Sequence, residues 1–528
     1  MDRIFALFEG DSTVIQSIGK WAAMLWEDRE MYQMQAHLLV AALFPIYIGS
    51  HAALRRPPSA KAPKKEKKDD GDDDEIEVDP VIEGLRPSDA IIFPVLAGIT
   101  LGGLYLIIKW LNDPRILNKI LTWYFSGLGI FGVGKLTGDS LHVLSTFVFP
   151  STWSDGKKLY LIEPALQAQF AGEATKTLLN RKVTNKKNPL AGPFSDFKAI
   201  EAVNQKLWGA RALVKNHWIF RGYAHGLFNL KTRVTIHDVV GLLLGVAAII
   251  AWNTNGKAWW LTNLMGFGFC YGTFQLMSPT TFWTGSLVLM GLFIYDVVMV
   301  FYTPMMVTVA TSLDVPIKLV FPGPKRGGML GLGDVVLPGI MMALALRFDL
   351  YLHYLRKQTP GDSSDVFRTP KPTKAPYVDA TGLWGERYWT ASSKQPNAAD
   401  AARFSKTYFN ASVVGYLIGM VTTLVVLNYF NHAQPALLYL VPGVLISLWG
   451  TAWVRGEIPL MWGYTEDGSL EDTDESETNV SKKEAETKAA EREKKRVAEH
   501  AHHVFLFSLS EPKPSIPVAK LFETMKEE

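Results

Sequence analysis

Apolar residues are bunched along this chain into runs of about twenty, separated by stretches in which charge dominates. Nine runs reach the length that a bilayer crossing needs. They are Met34–Leu54, Ala90–Trp110, Ile116–Leu136, Val234–Trp252, Trp259–Leu276, Phe282–Tyr302, Gly328–Leu350, Phe409–Phe430 and Pro435–Val454. The pattern predicts an all-α, polytopic membrane protein with nine transmembrane helices within residues 34–456. Residues 1–33 read as an amphipathic segment, with Trp and Phe concentrated in Ile4–Trp26. An acidic residue stands early in that segment and its apolar run is short, so the first span is expected to be uncleaved. The linker 55–86 passes from a basic block to an acidic one and is expected to be disordered. Residues 137–233 and 356–406 read as long polar loops. Residues 457–528 form a charged tail with a Lys/Glu/Ala-rich stretch suited to a solvated helix.

Lysine and arginine set the orientation. The connection after the first run carries Arg55, Arg56, Lys61, Lys64, Lys65, Lys67, Lys68 and Arg86. The one after the third carries Lys157, Lys158, Arg181, Lys182, Lys186 and Lys187, and the one after the seventh Arg356, Lys357, Arg368, Lys371 and Lys374. The connections after the second, fourth and eighth runs hold little beyond Lys109, Arg115 and Lys257, and the one after the sixth holds Lys318, Lys325 and Arg326. Odd-numbered spans are therefore expected to exit to the cytosol, with the N-terminus lumenal and the C-terminus cytosolic. Net charge over the 528 residues is +3, which gives no basis for nucleic-acid binding, and mean hydropathy is +0.08 because loops and tail dilute the spans. The single cysteine, Cys270, excludes an intrachain disulfide and zinc sites built on two or more cysteines. It reads as a small packing residue.

Two acidic residues lie well inside apolar runs: Asp296 in the sixth and Asp334 in the seventh. A carboxylate in a spanning helix costs at least ~2.5 kcal/mol, so it is seldom there without a role. The sixth run goes outward and the seventh returns, with each Asp about six residues from the shared end. At a rise of 1.5 Å per residue, both would lie roughly 9 Å below one face. Paired carboxyl groups sharing a proton can activate water and protonate a scissile carbonyl. Depth and spacing alone fit such a dyad and a proton or ion relay equally well. Gly331 and Gly333, just ahead of Asp334, weaken the helix there and admit another backbone.

Three motifs separate these readings. Tyr295-Asp296, Gly331-Leu332-Gly333-Asp334 and Gln434-Pro435-Ala436-Leu437, in this order, resemble the signature of the presenilin-type intramembrane aspartyl proteases. The stretches GLFIYDVVMVF, MVTVATSLDVPIKLVFP, MLGLGDVVLPGI, LRFDL and HAQPALLYLVP are similar to the signal peptide peptidase family. The resemblance runs from about Ala90 to Tyr464 and is densest from Trp259 to Pro442. It implies a presenilin-like fold with Asp296 and Asp334 as the catalytic pair. Leu332, Gln434, Pro435, Ala436 and Leu437 would line the cleft, and Gly331 and Gly333 would help hold an extended substrate. Tyr295 would pack beside the dyad or serve as a core aromatic. An unwound substrate needs new backbone partners, supplied most simply by strand addition.

The resemblance also implies an endoplasmic-reticulum membrane location, with transmembrane-helix and signal-peptide substrates and membrane lipid as partners. No cofactor, metal or nucleic acid is expected. A second copy of the chain and quality-control machinery of the endoplasmic reticulum stand as open partners. The competing class is an ion- or proton-coupled transporter using the same carboxylates. The loops before the fourth and eighth spans exceed the family pattern, and their purpose is open.

Other signals read plainly. Gly129–Leu136 nearly spells a phosphate-binding loop, but Leu136 stands where Ser or Thr should hold magnesium, and the stretch lies in a span. His237-Asp238 reads as an interfacial cap, and Arg347 with Asp349 as an interfacial ion pair. Asn410 and Asn479 match the glycosylation pattern on the face where no modification is expected. There is no His-Glu-x-x-His, no Gly-x-Ser-Gly and no Asp-Thr/Ser-Gly for other protease classes.

Overall fold

A computed structural model describes residues 29–61, 83–111, 115–164, 166–172, 182–184, 186–197, 200–224, 228–313, 315–323, 327–359, 373–391, 403–430, 434–466 and 505–511. The helices are α1 (Arg29–Ala52), α2 (Asp89–Leu111), α3 (Arg115–Val148), α4 (Glu201–Lys215), α5 (Ile236–Thr254), α6 (Trp259–Leu276), α7 (Phe282–Phe301), α8 (Met305–Ser312), α9 (Leu332–Leu355), α10 (Trp384–Trp389), α11 (Thr407–Phe430), α12 (Leu437–Arg455) and α13 (Ile458–Gly463). Each of the nine expected spans has its helix. Among the described residues, eight are long and apolar enough to cross a membrane by themselves. The ninth, α6, has 18 residues. Asn263, Gln275 and several glycines lower its hydropathy.

α9 is the central helix. It is apolar nearly all round, so it suits a position enclosed by α1, α6, α7, α11 and α12. Ile340 to Leu352 is buried without interruption. Local signals set the ends of its neighbours. Thr235 and Asp238 form a capping box at the start of α5, which gives the His237-Asp238 motif its expected capping role. Gly456, at φ +67°, ends α12 in a left-handed turn that other residues adopt only with strain. The Gly-rich run of α3 is a packing face. Gly134 and Gly138 meet Gly241 and Gly245 of α5, and a Cβ at Gly245 would come 2.6 Å from the Ile130 carbonyl oxygen. Small residues four apart let two spanning helices approach this closely.

The polar regions correct the sequence reading, because the all-α expectation holds for the spans but not for the loops. The expected loop 137–233 begins as helix, since α3 runs 34 residues to Val148. That is ~51 Å long, well beyond a hydrocarbon core of ~30 Å. Beyond it, β2 (Thr152–Ser154), β3 (Leu159–Glu163), β4 (Ala168–Gly172) and β5 (Lys182–Val183) form an antiparallel sheet in that order. β6 (His217–Ala224) and β7 (Phe228–Thr235) make a hairpin joined by β11 (Phe505–Ser510) from the tail.

The two long loops fold against each other. Gly385 N–H donates to Thr146 Oγ1 (3.0 Å), Trp389 Nε1 to the Phe147 carbonyl (2.8 Å) and Ser151 N–H to Glu386 Oε1 (3.1 Å). The linker expected to be disordered over 55–86 has ordered ends. Ser59 Oγ donates to the Tyr351 carbonyl at 2.9 Å, and β1 (Glu83–Leu85) pairs in parallel with β8 (Met277–Pro279). Its middle, the amphipathic stretch Ile4–Trp26, the Lys/Glu/Ala-rich part of the tail and Asn479 lie outside the described residues. Cys270 is buried within the main core.

Candidate active site

Three chain segments converge on the two aspartates. α7 brings Asp296 to within a turn and a half of its C-terminal end, where the residue is 3% exposed. A short antiparallel ribbon, β9 (Lys318–Phe321) with β10 (Gly328–Gly331), leads directly into α9, whose third residue is Asp334. The third segment is Gln434-Pro435-Ala436, which turns the chain into α12 at Leu437.

This corrects the depth argument drawn from the sequence. Residues 328–331 are strand rather than helix, so Asp334 lies in the first turn of its helix and not about six residues inside it. Gly331 closes the strand and stands at the N-cap of α9, and the ribbon takes the length that the span was expected to use.

The contacts join the segments. The first N–H groups of any helix lack intrahelical partners, and at α12 one of them has a carboxylate. Leu437 N–H donates to Asp296 Oδ2 at 3.2 Å. Pro435 and Ala436 carbonyls accept from Leu438 and Tyr439 N–H, both at 3.2 Å, which fixes the turn. The Asp334 backbone carbonyl accepts a 3.4 Å hydrogen bond from Tyr416 of α11. No donor among the described residues reaches the Asp334 carboxyl itself.

The remaining candidates fall into distinct places. Pro435, Ala436 and Leu437 are buried beside Asp296, and Gln434 is half-buried. Gly331 abuts the dyad, since an added Cβ would sit 3.3 Å from Asp334 Oδ2. Gly333 is exposed, with open space where a Cβ would go. Leu332 leans away onto Gly266 of α6, and its N–H donates to the Ile317 carbonyl at 3.0 Å. Tyr295 lies about 100° round the helix from Asp296 and reaches Gly98 of α2.

Two contributors escaped the sequence reading. Tyr416 could have been noticed, because a tyrosine hydroxyl in an apolar span needs a partner. Asn263 of α6 is the other. Its side chain donates to the Val320 carbonyl at 2.9 Å and accepts from Val320 N–H at 2.8 Å, occupying the outer edge of β9. An asparagine inside a span was the available signal. Among the described residues no cluster of three or more His, Cys, Asp or Glu is arranged to hold a metal.

The family described as signal peptide peptidase matches residues 77–468. The human signal peptide peptidase is 28% identical over 470 residues, covering 87% of this chain and 90% of its own. A probable intramembrane protease of Schizosaccharomyces pombe is 32% identical over 254 residues, 47% of this chain and 70% of its own. Intramembrane protease 2 of Caenorhabditis elegans is 34% identical over 239 residues, 44% of this chain and 43% of its own. The family match takes in all nine spans but the first, together with both aspartates and the turn into α12, and by it the chain belongs to the signal peptide peptidase family of intramembrane aspartyl proteases.

Proposed function

We propose that Asp296 and Asp334 are the catalytic carboxylates, and that the turn Pro435-Ala436-Leu437 holds the first of them in its working state. The carrying observation is the Leu437 N–H on Asp296 Oδ2 at the start of α12. A helix N-terminus favours negative charge, so Asp296 is the ionised member that takes a proton from water. Asp334 carries the shared proton and gives it to the scissile carbonyl as the water oxygen attacks. The resulting diol collapses, the C–N bond breaks and the amine leaves protonated.

A substrate helix hides its peptide bonds and must unwind near the dyad. The β9–β10 ribbon supports strand addition as the means. Asn263 occupies the outer edge of β9, no third strand pairs with β10 among the described residues, and β10 ends at Gly331 beside Asp334. The proposed substrates are signal peptides and other membrane-spanning helices presented with their N-termini cytosolic, in the endoplasmic-reticulum membrane. The Lys/Arg asymmetry supports that orientation.

The test is the full chain in liposomes with a signal-peptide substrate. Cleavage should be blocked by a transition-state aspartyl inhibitor and lost in both Asp296→Asn and Asp334→Asn. Ion flux through the wild type without any cleavage would replace the hydrolase reading by a relay.

A further inference from the structure

The sheet β6–β7–β11 has an unusual distribution of side chains. Register places Phe505 opposite Ala224, Phe507 opposite Gly222 and Leu509 opposite Phe220, with Trp218 opposite Val234 further along. Directly paired residues share a face, so Phe505, Phe507, Leu509, Phe220, Trp218 and Val234 lie on one side. The Phe220 and Phe507 rings, 6.3 Å apart, agree. The other side carries His217, Arg221, Lys231, Arg233, Ser508 and Ser510, with Ile219, Tyr223 and Leu506 among them. An ordinary half-buried sheet turns its apolar face inward. Here Phe505, Phe507 and Leu509 are 65%, 63% and 61% exposed, while Ile219 on the polar side is buried.

The chain path says what covers this face. β7 ends at Thr235, which is itself the N-cap of α5. No linker separates the sheet from a membrane-spanning helix, so the sheet stands where the bilayer begins. Val239, Val240 and Leu243, in the first turns of α5, are exposed as lipid-facing residues are. The apolar side of the sheet therefore continues along the chain into the lipid-facing surface of α5. Aromatic rings favour this boundary, and the Arg and Lys of the opposite side suit the headgroup layer above it.

We propose that β6–β7–β11 is an interfacial module whose aromatic face lies in the headgroup–acyl boundary of the bilayer that α5 enters, with phospholipid as its partner. The tail strand β11 supplies the exposed half of that face. It thereby straps the far end of the chain to the membrane surface and to the loop before α5. This reading is independent of the protease assignment.

The test uses the full chain in phospholipid nanodiscs, with a nitroxide on Phe507→Cys and, separately, on Leu509→Cys. Cys270 is fully buried, so the wild-type chain should take no label. The expected result is fast collision with dissolved oxygen and slow collision with a water-soluble nickel chelate, matching a label on Leu243→Cys of α5. Ready access of the nickel chelate to both labels would overturn the proposal in favour of a solvated face. Protection from both reagents would overturn it in favour of a protein cover, either a second copy or another part of the tail. Retained cleavage activity in each labelled variant shows that the protein tested is folded.

Discussion

The two ends of α9 carry the same residue type and treat it in opposite ways. At the far end, Asp349 is buried and fully engaged, accepting Tyr408 N–H at 3.1 Å and Phe409 N–H at 2.9 Å to cap α11. Beside it, Arg347 is ion-paired with Glu466 at 2.8 Å and donates to Ser278 Oγ at 2.8 Å, with Arg55 also on Glu466. The rings of Phe282, Tyr408 and Tyr464 surround Phe348 with centroids 5.0–5.3 Å away. At the dyad end, Asp334 is half-buried, with a carboxyl that no described donor satisfies and an exposed glycine next to it. Buried polar groups are normally paired. An aspartate that is paired holds the fold, and one left open is available to a reaction. This contrast ranks the two residues where their shared chemistry and shared helix cannot.

The largest expected effect tests that ranking. Asp334→Asn should lower cleavage by at least about 10²–10⁴-fold, the usual worth of an acid–base group, and leave thermal unfolding in detergent unchanged. Asp349→Asn should do the reverse, costing about 1.5–3 kcal/mol for a charge-assisted bond while the folded fraction still cleaves. If Asp349→Asn abolished cleavage with its melting temperature intact, the two ends would not divide the work as described.

The second prediction concerns the far end alone. Glu466→Gln leaves Arg347 buried without a counter-charge, and breaking one side of such a pair costs about 3–5 kcal/mol. Adding Arg347→Met should restore most of that loss, because the pair as a unit contributes little beyond a hydrophobic replacement. Denaturation of the two single variants and the double variant gives the coupling. Additive losses would mean that the ion pair is not the lock on this end.

How much of this could be read from the sequence differs between the same two ends. Asp296, Asp334 and the Pro435-Ala436-Leu437 turn were visible because an acid in an apolar run is costly and three short motifs stood in order. The far end was misread. In the sequence, Arg347 and Asp349 read as an interfacial ion pair, two residues apart. On a helix that spacing puts them on different faces. Their true partners, Glu466 and the N–H groups of Tyr408 and Phe409, lie more than fifty residues away in the chain. The loop sheets were missed for a related reason. Their strands are two to eight residues long and include β11, paired with β6 across 281 to 291 residues, whereas spans announce themselves by length.

The third prediction sharpens the dyad end. Gly331→Ala introduces a Cβ 3.3 Å from Asp334 Oδ2, so the carboxyl must shift by a few tenths of an ångström. Misplacement by 1 Å can cost about 10²-fold, so a loss of about threefold to tenfold is expected. Gly333→Ala meets nothing in the free protein. Any loss of cleavage it causes reports a substrate backbone passing close to that residue, seen as a raised KM with stability unchanged. Wild-type kinetics in the Gly333→Ala variant would place the substrate elsewhere.

The last prediction returns to the far end and is a response to pH. Lys406, the residue before α11, is pushed down to about 8 by burial first and by the Arg387 charge second, with the Asp349 carboxylate opposing. Its ammonium donates to His51 Nε2 at 2.7 Å. The unfolded chain keeps this lysine at its ordinary value of 10.5. Between pH 8 and 10.5 the unfolded state therefore binds more protons, and stability rises with pH across that window. Below pH 8 the group is protonated in both states and contributes no slope. With partial exposure screening the effect, the rise should be about 1–2 kcal/mol. Other lysines and tyrosines titrate in the same window, so the informative quantity is the difference between wild type and Lys406→Met. The variant should lack the extra rise and be the more stable of the two at pH 7, where the wild type still holds a desolvated charge. Equal slopes in the two proteins would show that Lys406 is solvated, and that the sealed character of the far end stops at Asp349.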